Sequence, residues 1–139
     1  MAQPIRNVMS RNVLTLSPTA TLADAARTMR DSNVGAVIVE DQGKLVGLVT
    51  DRDIVVRAVA QERDPKSTQL SEACSKTLVS LTPDDDTDRA VEVMREKSVR
   101  RLPVVEKGKV VGILTLGDLA LERDRKSVLG SISAAPPNR

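Results

Sequence analysis

Apolar and polar positions along the chain alternate in a small set of patterns. Val13 to Leu16 is apolar, rich in residues that favour extended backbone, and stopped by Pro18, which predicts a short strand. From Thr21 the spacing changes: Leu22, Ala25, Ala26 and Met29 fall on one helical face, behind a Thr21 and Asp24 pair at capping-box separation. Gly35 to Glu40 is almost continuously apolar, Asp41 to Gly43 has turn composition, and Lys44 to Thr50 is apolar again, so a β-hairpin is predicted. A second helix is predicted from Asp51, with Ile54, Val55, Ala58 and Val59 turned inward.

The same order then returns 65 residues later, the offset from Thr50 to Thr115, without an insertion. Leu78 to Leu81 predicts a strand, a helix starts near Asp86 with Ala90, Val91 and Met94 inward, and Leu102 to Glu106 turns at Lys107 and Gly108 into Val110 to Thr115 before a closing helix. Pairs such as Met29 and Met94, Gly47 and Gly112, Thr50 and Thr115, and Asp53 and Asp118 are identical across the offset. An order β-α-β-β-α written twice predicts a mixed α/β (α+β) fold of two repeats related by a pseudo-twofold axis, each burying its apolar face against its twin. The expected division is residues 5–62, a polar linker at 63–69 containing Pro65, residues 70–124, and a frayed tail at 125–139.

Composition narrows the chemistry. Phe, Tyr and Trp are absent, so Val, Leu, Ile, Met and Ala must fill the core. With no histidine and one cysteine, the chain lacks the imidazole and thiolate groups of most zinc and transition-metal sites, and histidine acid–base catalysis is excluded. No hydroxyl sits in a nucleophile-elbow motif, so no enzyme activity, cofactor or metal is expected. The 21 basic and 19 acidic residues are interspersed, which is a solvated surface rather than a nucleic-acid stripe. No apolar run approaches the roughly 18 residues of a membrane span. No apolar leader opens the chain, so a cytoplasmic protein is expected, with Cys74 packed as a small apolar side chain.

One pattern carries candidate chemistry. Gly47 to Asp53 (GLVTDRD) and Gly112 to Asp118 (GILTLGD) each run from a strand end into a helix. Two readings stand. In one, the Thr hydroxyl and Asp carboxylate only cap free N–H groups of the first turn. In the other, the helix start and the hydroxyl meet a phosphate while the carboxylate accepts both hydroxyls of a ribose.

The duplicated order, the [V/L]-x-L-[S/T]-P openings, the VRRLPVV run at Val99 to Val105 and the twin G-h-h-T-x-x-D endings together resemble a tandem pair of cystathionine-β-synthase (CBS) domains, a Bateman module, over about residues 5–124. The resemblance implies a disc-like pair, usually a homodimer, with up to two adenosine-type sites between the repeats. It also implies a regulatory rather than catalytic role: sensing AMP, ADP, ATP or S-adenosylmethionine and acting on an effector, here expected to be a separate protein. By position, Asp53 and Asp118 match the ribose-holding residue, and Thr50 and Thr115 match a residue near phosphate or ribose. Arg100 matches a phosphate-reaching position, yet its partner across the offset is Gly35, whereas Arg52 stands opposite Gly117. Each site thus has one arginine candidate from a different element, with the alternative that Arg52, Arg100 and Arg101 are solvated surface charges. Val13, Leu14, Val34, Val37, Leu78, Val79, Val99 and Leu102 are the candidates to sandwich a purine without aromatic stacking, or else simply core. The competing function is a dimeric interaction module with no nucleotide ligand, the Thr and Asp pairs serving only as caps.

Overall fold

The computed structural model describes residues 2–76 and 79–123. Leu78, the first residue of the strand expected in the second repeat, and the expected tail lie outside these residues. The described residues separate into two compact units, 14–76 and 2–13 with 79–123.

In the first unit, β1 (Thr15–Leu16) pairs parallel with β2 (Ala36–Asp41), and β2 pairs antiparallel with β3 (Lys44–Thr50). Gln42 and Gly43 have φ of 51° and 83°, the left-handed pair that a tight two-residue hairpin turn requires. Helix α1 (Leu22–Ser32) begins at the Thr21 and Asp24 capping box and buries Leu22, Ala25 and Met29. Ala26, expected inward, is exposed, because the buried stripe is only one i, i+3, i+7 line wide.

Helix α2 (Asp51–Ile54) departs further from expectation. It continues as a π-helical turn, Val55–Val59, in which the Ala60 N–H bonds the Val55 carbonyl. The wider turn lines up Ile54 with Ala58 and places Val55 and Val59 roughly a quarter turn away. Ala58 is therefore buried, while Val55 and Val59, expected inward, are 57% and 64% exposed. A short helix that the hydrophobic pattern did not predict, α3 (Leu70–Ala73), completes this unit.

The second repeat copies these elements at the same offset: α4 (Thr87–Lys97), β4 (Arg101–Glu106), β5 (Lys109–Thr115) and α5 (Leu116–Arg123). Even the irregularity in the hairpin register recurs, at Val39 and Glu40 and again at Val104 and Val105. In place of a strand at Leu81 there is a single parallel bridge from Leu81 to Val104.

The segment that precedes each repeat in sequence packs on the other one. Leu48 exchanges backbone hydrogen bonds of 2.9 Å with Ser75, and Ile113 exchanges bonds of 2.9 and 3.0 Å with Ser10. Leu70, Ala73 and Cys74 join the core of the first unit. Ile5 and Met9 join that of the second, where Ile5 opens a 3₁₀ turn (Ile5–Asn7).

Glycine permits this close approach. A Cβ on Gly47 would collide with the Ser75 carbonyl oxygen, and one on Gly112 would stand 2.6 Å from Met9 Sδ and 2.9 Å from the Ser10 carbonyl oxygen. Gly47→Ala, which collides with backbone, should destabilise by about 1–3 kcal/mol. Gly112→Ala should cost less, because its closest clash is with the Met9 thioether, which can swing aside, and its backbone clash with the Ser10 carbonyl is milder than that of Gly47 with Ser75. Urea unfolding of both variants checks this order; equal midpoints would contradict it.

Candidate functional site

Each strand-to-helix junction is a closed capping box. At the first, the Asp53 N–H donates to Thr50 Oγ at 3.1 Å and the Thr50 N–H donates to the Asp53 carboxylate at 2.9 Å; at the second, Asp118 and Thr115 make the same bonds at 3.0 and 2.9 Å. The cap uses one carboxylate oxygen. An ionised carboxylate has about four acceptor positions, so capping and holding a diol are compatible in one side chain.

Backbone pairing places the next residues. The Asp51 N–H bonds the Gly35 carbonyl at 3.0 Å, and the Leu116 N–H bonds the Arg100 carbonyl at 2.8 Å. Gly35 and Arg100 thus stand at matching places beside the two junctions, and the arginine of the first junction is Arg52, exposed on α2 itself. Arg101 pairs with Thr115 across the hairpin. Helices α1 and α4 both end in a left-handed residue, Asn33 or Ser98, whose turn brings Val34 or Val99 to the start of the following strand.

The first unit therefore gathers Leu14, Val34, Val37, Thr50, Arg52 and Asp53; the second gathers Val13, Val79, Val99, Arg100, Leu102, Thr115 and Asp118. Val37 and Leu102 are each 1% exposed and sit in the aliphatic cores, whereas Val13, Leu14, Val34 and Val79 are half-buried and Val99 is exposed.

Asp53 and Asp118 differ in what lies one turn further on. Arg57 Nε is 3.8 Å from the Asp53 carboxylate, and Arg57 Nη1 donates at 3.2 Å to the carbonyls of both Ala73 and Cys74, at the C-terminal end of α3. The residue 65 places after Arg57 is Glu122. With Asp118 it lines a pocket of about 180 Å³ in the second unit, together with Gln3, Asn7, Val8 and Leu121. Burial pushes the Asp118 carboxyl above the usual carboxylate range, opposed by its hydrogen bonds with Thr115. Sequence reasoning passed over Arg57, Glu122, Gln3 and Asn7; the signal available for the first two was their opposite charge across the offset.

Cys74 is buried beside Gly47, and burial raises its thiol pKa, so it packs as an apolar side chain. Among the described residues no group of three or more His, Cys, Asp or Glu side chains could hold a metal, and no helix is long and apolar enough to cross a membrane.

Comparison with known proteins places this geometry. The family model of the CBS domain matches residues 5–59 and 70–124. The CBS domain-containing protein YhcV of Bacillus subtilis (strain 168) is 42% identical over 127 residues, which is 91% of this chain and 90% of that one. A CBS-domain protein of Agrobacterium tumefaciens superposes with a TM-score of 0.77 at 30% identity, over 86% of this chain and 92% of its own. The CBS domain pair of protein MJ0100, solved in complex with 5′-methylthioadenosine and S-adenosyl-L-methionine, shares the fold with a TM-score of 0.81 at 24% identity, over 91% of this chain and all of that one.

Proposed function

Because the chain belongs to the CBS-domain family, with two such domains in tandem, we propose that it is a regulatory module that binds an adenosine-type ligand and passes its occupancy to a separate effector protein. AMP, ADP, ATP and S-adenosylmethionine are the candidate ligands. The carrying observation is Asp118. The N3 position of a capping box needs only an acceptor oxygen that reaches back to the N-cap N–H, which an uncharged amide supplies as well, yet this carboxylate is half-buried against its own ionisation at the wall of a pocket. Perturbed carboxylates in concave sites are characteristic of ligand-binding chemistry. Leu14 and Val34 in the first unit, and Val79 and Val99 in the second, supply apolar surface for a purine. The protein works as a non-catalytic, cytoplasmic homodimer in this reading, and the exposed Val55, Val56 and Val59 of the π turn offer apolar surface for a partner.

With no aromatic side chain, the protein itself absorbs almost nothing at 260 nm. A 260 nm band that travels with the purified protein therefore reports bound nucleotide. Calorimetric titration with the four candidates should give saturable heat for at least one, with a raised melting temperature. Absence of heat and of thermal shift with all four would overturn the reading. The alternative, an interaction module without a nucleotide, is favoured by the two closed capping boxes, which satisfy their polar groups without a ligand.

A further inference from the structure

Residues 2–10 and 69–75 are equivalent across the 65-residue offset, and each belongs to a different compact unit from the one it runs into along the chain. Both segments reach the capping carboxylate of the unit they join.

In the second unit the reach is direct. Gln3, Asn7 and Val8 line the pocket of about 180 Å³ that Asp118 also lines. The backbone beside them is fastened to the repeat: the Thr87 N–H donates to the Gln3 carbonyl at 2.9 Å, the Ile5 N–H to the Asp85 carbonyl at 2.8 Å and the Arg6 N–H to the Pro83 carbonyl at 3.0 Å. A group held in that pocket touches both the helix that carries Asp118 and the segment.

In the first unit the reach is through Arg57. The Asp53 carboxylate caps the Thr50 N–H with Oδ2 and turns Oδ1 towards Arg57 Nε, 3.8 Å away. Arg57 Nη1 in turn donates at 3.2 Å to the carbonyls of Ala73 and Cys74, and the next residue, Ser75, exchanges two backbone bonds with Leu48 on β3. Oδ1 is the oxygen that the cap does not use, so a diol held there lies against the guanidinium that grips the segment. Val8 and Ala73 are matched positions, so the two contacts fall at the same place in the two segments.

We propose that the two leading segments are working parts of the candidate sites: a ligand held by Asp118 fastens residues 3–8, a ligand held by Asp53 fastens residues 73–75, and occupancy of one unit is thereby passed into chain that continues into the other. This rests on the adenosine-binding reading above and adds the route by which occupancy leaves the site. Binding and docking are reciprocal, so whatever the ligand gains from a docked segment, the segment gains from the ligand. Segment amides exchange with solvent when the segment lifts. Where lifting dismantles the site, ligand at about ten times its Kd slows that exchange by about tenfold.

The test is amide hydrogen exchange on the intact protein, alone and with AMP, ADP, ATP or S-adenosylmethionine at that ratio. A ligand in the second unit should slow the amides of Ile5, Arg6 and Ser10 by about tenfold, and one in the first unit those of Leu70, Ser71 and Ser75. Slowing confined to one segment supports the link at its own site. Arg57→Met should abolish the slowing from Leu70 to Ser75 and keep that from Ile5 to Ser10. The double variant Gln3→Ala, Asn7→Ala, which removes two exposed amides and keeps the backbone bonds, should do the reverse. Each variant is compared with itself, with and without ligand, so a change in its stability alone does not move the readout. If ligand binds and slows the hairpin amides of Ile38 and Val105 but neither segment, or if each variant keeps the slowing it should lose, the segments are no part of the sites while the adenosine-binding reading stands. If none of the four binds, both fall.

Discussion

Cut between residues 62 and 63, the chain should give two fragments, neither of which melts cooperatively alone. Residues 1–62 hold the first repeat but lack Leu70, Ala73 and Cys74, which are 0%, 0% and 5% exposed in its core. They also lack Ser75, whose two backbone bonds extend the hairpin at Leu48. Residues 63–139 likewise lack Ile5 and Met9, and the Ile5 and Arg6 N–H groups that bond the carbonyls of Asp85 and Pro83. Losing one large buried aliphatic side chain costs about 2–5 kcal/mol. Whole domains are stable by only about 5–15 kcal/mol. Circular dichroism melts of each fragment, and of an equimolar mixture, check this. The mixture should regain a cooperative transition, and a fragment that melts cooperatively as a monomer would show that its own leading segment can replace the exchanged one.

The second large effect separates ligand binding from capping in one side chain. Asp118→Asn keeps an acceptor oxygen for the Thr115 N–H, so the cap survives, but it removes the ionisable group. In the folded protein burial raises the pKa of Asp118 above its ordinary value. The folded state therefore holds the proton more tightly than the unfolded chain. Stability from this group is greatest below the ordinary carboxylate pKa and declines as pH rises through the window between that value and the raised folded one. At neutral pH the charged form is disfavoured by folding, and Asp118→Asn should melt at the same temperature as the wild type or higher. Its affinity for an adenosine-type ligand should nonetheless fall at least about tenfold, since a carboxylate accepting two hydroxyls is replaced by a weaker, half-donating amide. Asp118→Ala should lose both, with about 1 kcal/mol of stability gone along with the cap. Thermal shift assays with and without ligand, run on both variants, distinguish the outcomes. A ligand response fully retained in Asp118→Asn would show that this carboxylate only caps and that the ligand is held elsewhere, whereas no response even in the wild type would favour the interaction module.

How much of this was legible beforehand depended on the range of the interactions involved. The hairpin of β2 and β3 lies where the apolar runs and the Asp41 to Gly43 turn place it, and α1 starts at the capping box read from Thr21 and Asp24. The Val13 strand contracts to Thr15 and Leu16, because only two of its residues find partners on β2. Val55 and Val59 could not be placed from periodicity, since a fixed 3.6-residue period does not foresee a π turn. At the sites, Thr50, Asp53, Thr115 and Asp118 stood out because their pairing is local, three residues apart. Arg57 and Glu122 did not, because their meaning depends on the carbonyls of Ala73 and Cys74 in one case and on the amides of Gln3 and Asn7 in the other.

The sequence by itself determined the β-α-β-β-α order of the first repeat and the α-β-β-α order that returns in the second, the left-handed hairpin turns at Gly43 and Gly108 and the capped helix starts. All of these are settled by residues within about five positions of one another, where propensity, turn geometry and capping act. Only the tertiary structure decided that residues 4–10 pack on the second repeat and 69–75 on the first. The two segments are equivalent across the 65-residue offset, so local preference cannot choose between them. The choice falls to long-range packing beside Gly47 and Gly112, where Cys74 fills one space and the longer Met9 the other. The same packing brings Gln3 and Asn7 to Asp118, and so makes two nearly identical motifs unequal.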